Sequence, residues 1–211
     1  MAASPPIFKA SDEQFEPTWE IARLFPAQGT WSEEEYLTLT QGTNHLVEFS
    51  HGNLEFLAMP TRTHQKIVFF LSQILYAFLS TRGLGTVLFA PLRVRLWEGK
   101  YREPDLVVML AAHRDREHEA FFDGADLVIE VVSDDDPARD LVTKRREYAQ
   151  ASIPEYWIIE PQTEMMIVLR LDQGQYNEHG RFGRGTIATS ALLGELAIDV
   201  TLMFDQATKQ P

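Results

Sequence analysis

Apolar residues recur along this chain at two different spacings, and these spacings predict its secondary structure. Between His64 and Arg82 large apolar residues recur every three or four positions, which is typical of a helix, and Gly83 is expected to follow its end. Val68, Phe69 and Ala77 widen the apolar arc beyond a single stripe. We therefore expect this helix to be buried on one side by its own sheet and on the other by a second subunit.

Shorter apolar runs predict strands. Two extended pieces, about 45–50 and 53–59, flank His51-Gly52-Asn53, which is typical of a hairpin turn. Further strands are predicted at about 86–97, 104–111, 127–132 and 156–159, and an antiparallel meander at 164–171, 175–178 and 197–200.

Two further helices have start signals in the sequence. Ser32 to Glu35 forms a capping box before a short helix, and Asp136-Pro137 places an N-cap and a first-turn proline before a helix that runs to about Ala151. The element order predicts an α/β (α+β) fold with a central mixed β-sheet flanked by helices, an N-terminal β-hairpin and a C-terminal antiparallel meander. Four prolines predict an irregular segment at 1–30, so 31–211 is expected to form one domain.

One strand contains a charge that its surroundings do not explain. Glu130 lies within Leu127-Val128-Ile129-Glu130-Val131-Val132, a run with no polar face. Burying an isolated ionised carboxylate there costs on the order of several kcal/mol or more, unless a cation or hydrogen bonds compensate its charge. The expected compensation is a metal ion, a basic side chain such as Arg95 or Arg102, or a proton.

Composition narrows the chemistry. Cysteine is absent, which excludes disulfides, thiolate catalysis and cysteine metal sites. The net charge of −12 argues against a nucleic-acid coat protein and predicts weak non-specific DNA affinity, but a local basic strip could coexist with it. No signal peptide and no membrane-spanning run is recognisable, so we expect a cytoplasmic protein that needs no membrane and no organic cofactor.

A second carboxylate and a lysine are predicted to lie near Glu130. Pro104 places Asp105 at the entrance of the strand before it. Lys144 shares a helix face with Leu141 and Tyr148, so it is aimed at the sheet. Two carboxylates and a lysine suit a Mg²⁺ site, with Mn²⁺ as an alternative, for phosphodiester hydrolysis.

These residues stand in longer motifs with a recognisable spacing. They are Arg102-Glu103-Pro104-Asp105, Gly124-Ala125-Asp126-Leu127-Val128-Ile129-Glu130-Val131-Val132-Ser133, Arg139-Asp140-Leu141-Val142-Thr143-Lys144-Arg145, Glu147-Tyr148-Ala149 and Ile153-Pro154-Glu155-Tyr156-Trp157-Ile158-Ile159. With them the chain resembles the putative restriction endonuclease family abundant in cyanobacteria, within the PD-(D/E)XK nuclease superfamily.

The resemblance implies roles for particular residues. It makes Asp105 and Glu130 the metal ligands, with the main-chain carbonyl of Val131 as a third. The superfamily lysine normally stands two residues after the acidic residue, where this chain has Val132, and Lys144 matches a position to which that lysine has migrated. Glu48 aligns with a family glutamate and is a further acidic candidate. By analogy the protein is expected to be a homodimer that cleaves DNA.

Alternatives remain open at this point. The chain could be a catalytically silent module that keeps the nuclease fold for binding or assembly, or a metal-dependent hydrolase of small phosphate esters, although it lacks a phosphate-cradling glycine loop. His64 could cap the long helix or contact substrate. Arg93 and Arg95 alternate along one strand and suit either a phosphate-facing row or ordinary surface pairing.

Overall fold

The structure, a computed structural model, describes residues 25–42, 45–133 and 136–208. Its elements in chain order are α1 (Glu33–Gln41), β1 (Val47–Ser50), β2 (Asn53–Phe56), α2 (Arg62–Arg82), β3 (Gly85–Phe89), β4 (Val94–Trp97), β5 (Lys100–Arg102), β6 (Leu106–Leu110), a 3₁₀ helix (Ala111–Arg116), β7 (Phe122–Asp123), β8 (Leu127–Val131), a π-helix (Arg139–Lys144), α3 (Arg145–Gln150), β9 (Glu155–Glu160), β10 (Met165–Asp172), β11 (Gln175–Phe182), β12 (Ile187–Thr189), β13 (Ala197–Asp199) and α4 (Val200–Thr208).

The strands form one central sheet and two smaller ones. The central sheet is mixed, in the order β11-β10-β9-β8-β6-β3, with β8 and β9 parallel and the other neighbours antiparallel. A five-stranded sheet in the order β2-β1-β5-β4-β7 contains the N-terminal hairpin, and β12 pairs with β13. The predicted mixed sheet, front hairpin and C-terminal meander are therefore confirmed.

Helices cover both faces of the central sheet. Helix α2 packs on one face, where it shares a core with Leu127, Ile129 and Val131 of β8. The helical segment 137–150, which comprises the π-helix and α3, packs on the other face, where Tyr148 lies in a core with Val128. Because side chains alternate along a strand, Glu130 points to the same side as Val128, towards the segment 137–150.

The helix starts agree with their sequence signals, with one correction. Ser32 and Glu35 form the predicted capping box, and Asp136 accepts the N–H of Arg139 as the predicted N-cap. Helix α2 begins at Arg62 because Thr61 caps it by accepting the N–H of His64. The suggestion that His64 caps this helix is therefore wrong, since its side chain is engaged elsewhere.

Two strand predictions are also corrected, and three short strands were not predicted. The single strand expected at 86–97 is two strands, β3 and β4, in different sheets, because the chain turns at Ala90-Pro91 and a proline cannot donate to a ladder. Strands β5, β7 and β12 were not predicted. The piece expected at 197–200 is β13, which pairs with β12 outside the meander and leads into α4, a helix that the pattern did not indicate.

The predicted irregular segment 1–30 lies largely outside the described residues, which begin at residue 25, and residues 25–30 contain no helix or strand. The division at residue 31 stays a prediction. Among the described helices, none combines the length and the apolar character that crossing a bilayer requires.

Candidate metal centre

A cavity lies between β6, β8, the N-terminus of α2 and the segment 137–150. Its lining includes Asp105, Glu130, Val131 and Lys144. Strands β6 and β8 pair with Leu106 opposite Ile129, so Asp105, which directly precedes β6, comes beside Glu130. The four residues predicted to hold and assist a metal thus line one cavity.

Asp105 is held through one oxygen. Its Oδ2 accepts the N–H of Val131 at 2.7 Å and lies 3.0 Å from Nε2 of His64. Its Oδ1 accepts no hydrogen bond from the described part of the chain. The two contacts therefore orient the carboxylate and leave its second oxygen available to a ligand.

Glu130 is arranged in the same way. Its Oε1 lies 2.9 Å from Nζ of Lys144 and accepts the hydroxyl of Tyr148 at 2.5 Å, while Oε2 accepts nothing from the residues that the structure describes. Burial raises the pKa of Glu130 to about 8, with the Lys144 ammonium opposing this effect and the negative charges of Asp140 and Asp105 adding to it. A bound cation would favour the ionised form.

Lys144 is buried among three carboxylates. Its Nζ lies 2.9 Å from Glu130, 3.1 Å from Asp140 and 3.8 Å from Glu48. Burial alone would lower the pKa of Lys144, but these negative charges outweigh it and raise the pKa above the ordinary value. Lys144 is therefore a fixed cation, and its inward direction confirms the helical-face prediction.

Glu48 lies behind this lysine and does not line the cavity. Its carboxylate is bound by the guanidinium of Arg102 and by the N–H of Glu103, at 3.2 Å. Burial raises the pKa of Glu48, but the charges of Lys144 and Arg102 outweigh this and hold it below its usual value. Glu48 thus acts as a permanent negative charge that helps to hold Lys144.

The donor set fits a hard divalent ion. Within the described residues Asp105 Oδ1 and Glu130 Oε2 accept no hydrogen bond, and Asp105, Glu130 and Val131 line the same cavity. No group of three or more His, Cys, Asp or Glu side chains converges as a metal cage within the described ranges. Mg²⁺ commonly takes only one or two carboxylates and keeps several waters, so this set suits it.

Three groups in or beside the cavity make contacts that sequence reasoning did not predict. His64 contacts Asp105 from α2, 41 positions away in the chain, and no local pattern indicated this. Asp140 stands four residues before Lys144, a helical ion-pair spacing that could have identified it. Tyr148 was placed only on the correct helix face.

The alternative arginine partners for Glu130 are wrong. Arg102 binds Glu48 and Glu147, and Arg95 binds Asp123 at 2.6 Å. Arg93 lies 3.7 Å from Glu103, so Arg93 and Arg95 are engaged in protein ion pairs rather than in an open phosphate-facing row. Lys144 is the basic partner of Glu130.

The architecture and the cavity define the restriction-endonuclease-like class of α/β proteins. The crystal structure of a putative nuclease belonging to DUF820 from Anabaena variabilis shares this fold, with a TM-score of 0.69 at 17% identity, over 84% of this chain and 99% of that one. Residues 33–201 match the Uma2 family, described as a putative restriction endonuclease, and the chain belongs to that family. No curated protein matches the chain.

Proposed function

We propose that this protein is a metal-dependent endonuclease that hydrolyses phosphodiester bonds in DNA. Asp105, Glu130 and the carbonyl of Val131 hold Mg²⁺, which Mn²⁺ can replace, and Lys144 assists the nucleophile. The observation that carries the proposal is that Asp105 and Glu130, each with one oxygen that accepts no hydrogen bond from the described residues, line one cavity with the buried ammonium of Lys144. Membership of a family of putative restriction endonucleases supports the same reaction class.

The chain's own groups divide the work. A bound Mg²⁺ would polarise the phosphate and lower the pKa of a bound water. His64 and the N–H of Val131 orient Asp105. Lys144 keeps its proton because three carboxylates surround it, so it contributes positive charge next to the nucleophile or the phosphorane and does not act as a base.

The test is cleavage of supercoiled plasmid and of single-stranded DNA with Mg²⁺ or Mn²⁺, with EDTA controls. Wild type is compared with Glu130→Gln, Lys144→Ala and Glu155→Gln, the last a control at a buried glutamate outside the cavity. We expect metal-dependent cleavage that the first two substitutions abolish and the control retains. Cleavage that persists in Glu130→Gln, or folded wild type that cuts neither DNA, would overturn the proposal; the second result would favour a silent binding module.

We also propose that the protein is a homodimer formed through the outer face of α2. No charged residue occurs from Ile67 to Thr81, although the chain has a net charge of −12. On this face Phe69 and Tyr76 are 63% and 66% exposed. Two copies of an acidic chain repel one another least where neither has a charge, and exposed aromatic side chains are enriched in interfaces.

The neighbouring strand β3 supports the same face. It is an edge strand, and no described strand pairs with its outer side. Phe69→Glu with Tyr76→Glu is expected to convert a dimer, twice the chain mass in light scattering, to a monomer. Leu202→Glu, at a half-exposed apolar position on α4, is the matched control and should stay dimeric. A wild-type monomer would refute the dimer without affecting the cleavage proposal.

A further inference from the structure

The arginines of this acidic chain are mostly neutralised by carboxylates. Arg82, Arg93, Arg95, Arg102 and others each lie within ion-pair distance of an Asp or Glu. The described arginines without such a partner are Arg62, Arg114, Arg145, Arg146 and Arg170. Five of the thirteen described arginines thus lack a carboxylate partner, and their positions are informative.

Two of these arginines line one shallow cleft. Arg145 and Arg146 are both exposed, and the cleft lies between the segment 137–150 and the turn that joins β10 to β11. Among the described residues its lining includes no Asp or Glu, but it does include polar residues such as Gln150 and Gln175. Arg145 also donates to the carbonyl of Tyr176 at 3.0 Å, which fixes its guanidinium at the cleft.

A row of neighbouring depressions that share lining residues lies between the cleft and the candidate metal centre. The cavity shares Pro60 and Ser133 with a neighbouring groove, and that groove shares Pro161 with a depression beside Pro137. The depression in turn shares Leu141 with the arginine cleft. These neighbouring depressions form a row around the segment 137–150, from the cavity of the two carboxylates to Arg145 and Arg146, and we call this row the channel.

We propose that this channel binds the sugar-phosphate backbone of the DNA substrate, with Arg145 and Arg146 contacting phosphates that flank the one to be cleaved. The proposal rests on the proposed function for the identity of the substrate. An acidic protein repels DNA over most of its surface, so binding requires a local strip of unpaired cations. Guanidinium groups suit phosphate because they donate two parallel hydrogen bonds.

The scaffold explains how this contact would serve cleavage. Lys144 directly precedes Arg145, so one helical segment holds both the buried ammonium of the cavity and the exposed guanidiniums of the cleft. A strand bound at the cleft is thereby fixed relative to Asp105 and Glu130. The acidic surface then limits binding elsewhere, which directs the DNA to the channel.

The test measures DNA binding in EDTA, so that no cleavage occurs. Fluorescence anisotropy with a 20-nucleotide DNA compares wild type with the double variant Arg145→Gln/Arg146→Gln and with Arg146→Gln alone. The single variant is included because the Arg146 side chain makes no hydrogen bond or ion pair with the described residues, so its loss removes no contact within the fold. Arg114→Gln, at an exposed unpaired arginine outside the channel, is the control. The double variant is expected to bind about tenfold more weakly, with a salt slope reduced by roughly 1 to 2.

Each result bears on the proposal. Equal affinity and salt slope in wild type and in the double variant would overturn it, as would wild type that fails to bind DNA. An equal loss in Arg114→Gln would show a general charge effect and also overturn it. If the double variant binds DNA more weakly but wild type cuts no DNA, the channel is supported and the cleavage proposal fails. If wild type cuts DNA but the double variant binds as tightly as wild type, the cleavage proposal stands and the channel is overturned.

Discussion

Two buried glutamates on neighbouring parallel strands differ in how their oxygens are used. Glu130 in β8 and Glu155 in β9 are 3% and 1% exposed. Glu155 accepts hydrogen bonds from Trp157 and Ser190 at Oε1 and from the N–H of Leu192 at Oε2. Glu130 receives Lys144 and Tyr148 at one oxygen only.

The difference separates a structural carboxylate from a functional one. Glu155 has neutral donors on both oxygens and ties the loop at 190–192 to the central sheet, so its burial is fully compensated within the fold. Glu130 lines a cavity and has one oxygen that accepts no hydrogen bond from the described residues. Asp105, which lines the same cavity, also has such an oxygen. Burial alone therefore does not identify a site, and neither does a single oxygen without a donor, since Glu117 Oε1 is buried without one; two such carboxylates in one cavity do.

The largest expected effect is a difference in DNA cleavage between variants of Glu130 and of Glu155. Glu130→Gln should lower metal-dependent cleavage by about 10³-fold, about 4 kcal/mol, because a metal ligand is lost. Glu155→Gln should leave the cleavage rate per folded molecule unchanged. Single-turnover cleavage of plasmid by both variants makes the measurement, and similar losses in the two would remove the distinction.

A second effect concerns stability around Glu130. Lys144→Ala leaves Glu130 and Asp140 without their buried cation and should reduce the free energy of unfolding by about 3 kcal/mol. Urea unfolding followed by fluorescence measures this. Arg146→Ala, an exposed neighbour, should change the free energy by less than about 0.5 kcal/mol. A stable Lys144→Ala would mean that the ammonium does not compensate these carboxylates.

Metal addition tests the available oxygens directly. Mg²⁺ at about 100 times its dissociation constant should stabilise wild type by about 2.7 kcal/mol and raise the melting temperature by roughly 5–10 °C. Glu130→Gln should show little of this shift, and Glu155→Gln should show all of it. An unchanged melting temperature for wild type across a Mg²⁺ and Mn²⁺ titration would count against the metal site.

The structural role of Glu155 predicts a smaller loss. In Glu155→Gln an amide group must replace one acceptor oxygen, so a buried donor such as the N–H of Leu192 loses its partner, at a cost of about 2 kcal/mol. Urea unfolding of this variant should show the loss without any change in Mg²⁺ binding. Wild-type stability would indicate that the loop can rearrange to satisfy its donors.

The smallest effect comes from the group that orients Asp105. His64→Ala should lower cleavage by about tenfold, about 1.4 kcal/mol, because Asp105 keeps its bond from Val131 but loses one of its two orienting contacts. His64→Gln, which retains an N–H donor on a side chain of similar reach, should recover part of the rate. Failure of both variants to alter cleavage would leave His64 with a packing role alone.

Local patterns predicted the parts of the fold that depend on near neighbours. Helix α2 follows from apolar spacing, α1 from the Ser32 capping box, and the burial of Glu130 from the strand that surrounds it. The direction of Lys144 also followed from helix periodicity, even though the residues Arg139–Lys144 form a π-helix. Pro91 could have indicated the break between β3 and β4, but the apolar residues on both sides of it favoured a single strand.

What the sequence by itself determined is that Glu130 is charged where the strand must be buried, that Asp105 stands at the entrance of a strand, and that Lys144 is aimed at the sheet. Only the tertiary structure decided which atoms pair. The contacts of Asp105 with His64 and of Glu48 with Arg102 span 41 and 54 positions in the chain, so no local periodicity encodes them. Sheet pairing and helix packing bring these groups together. Within the described part of the chain, donors then reach one oxygen of Asp105 and one of Glu130, but both oxygens of Glu155.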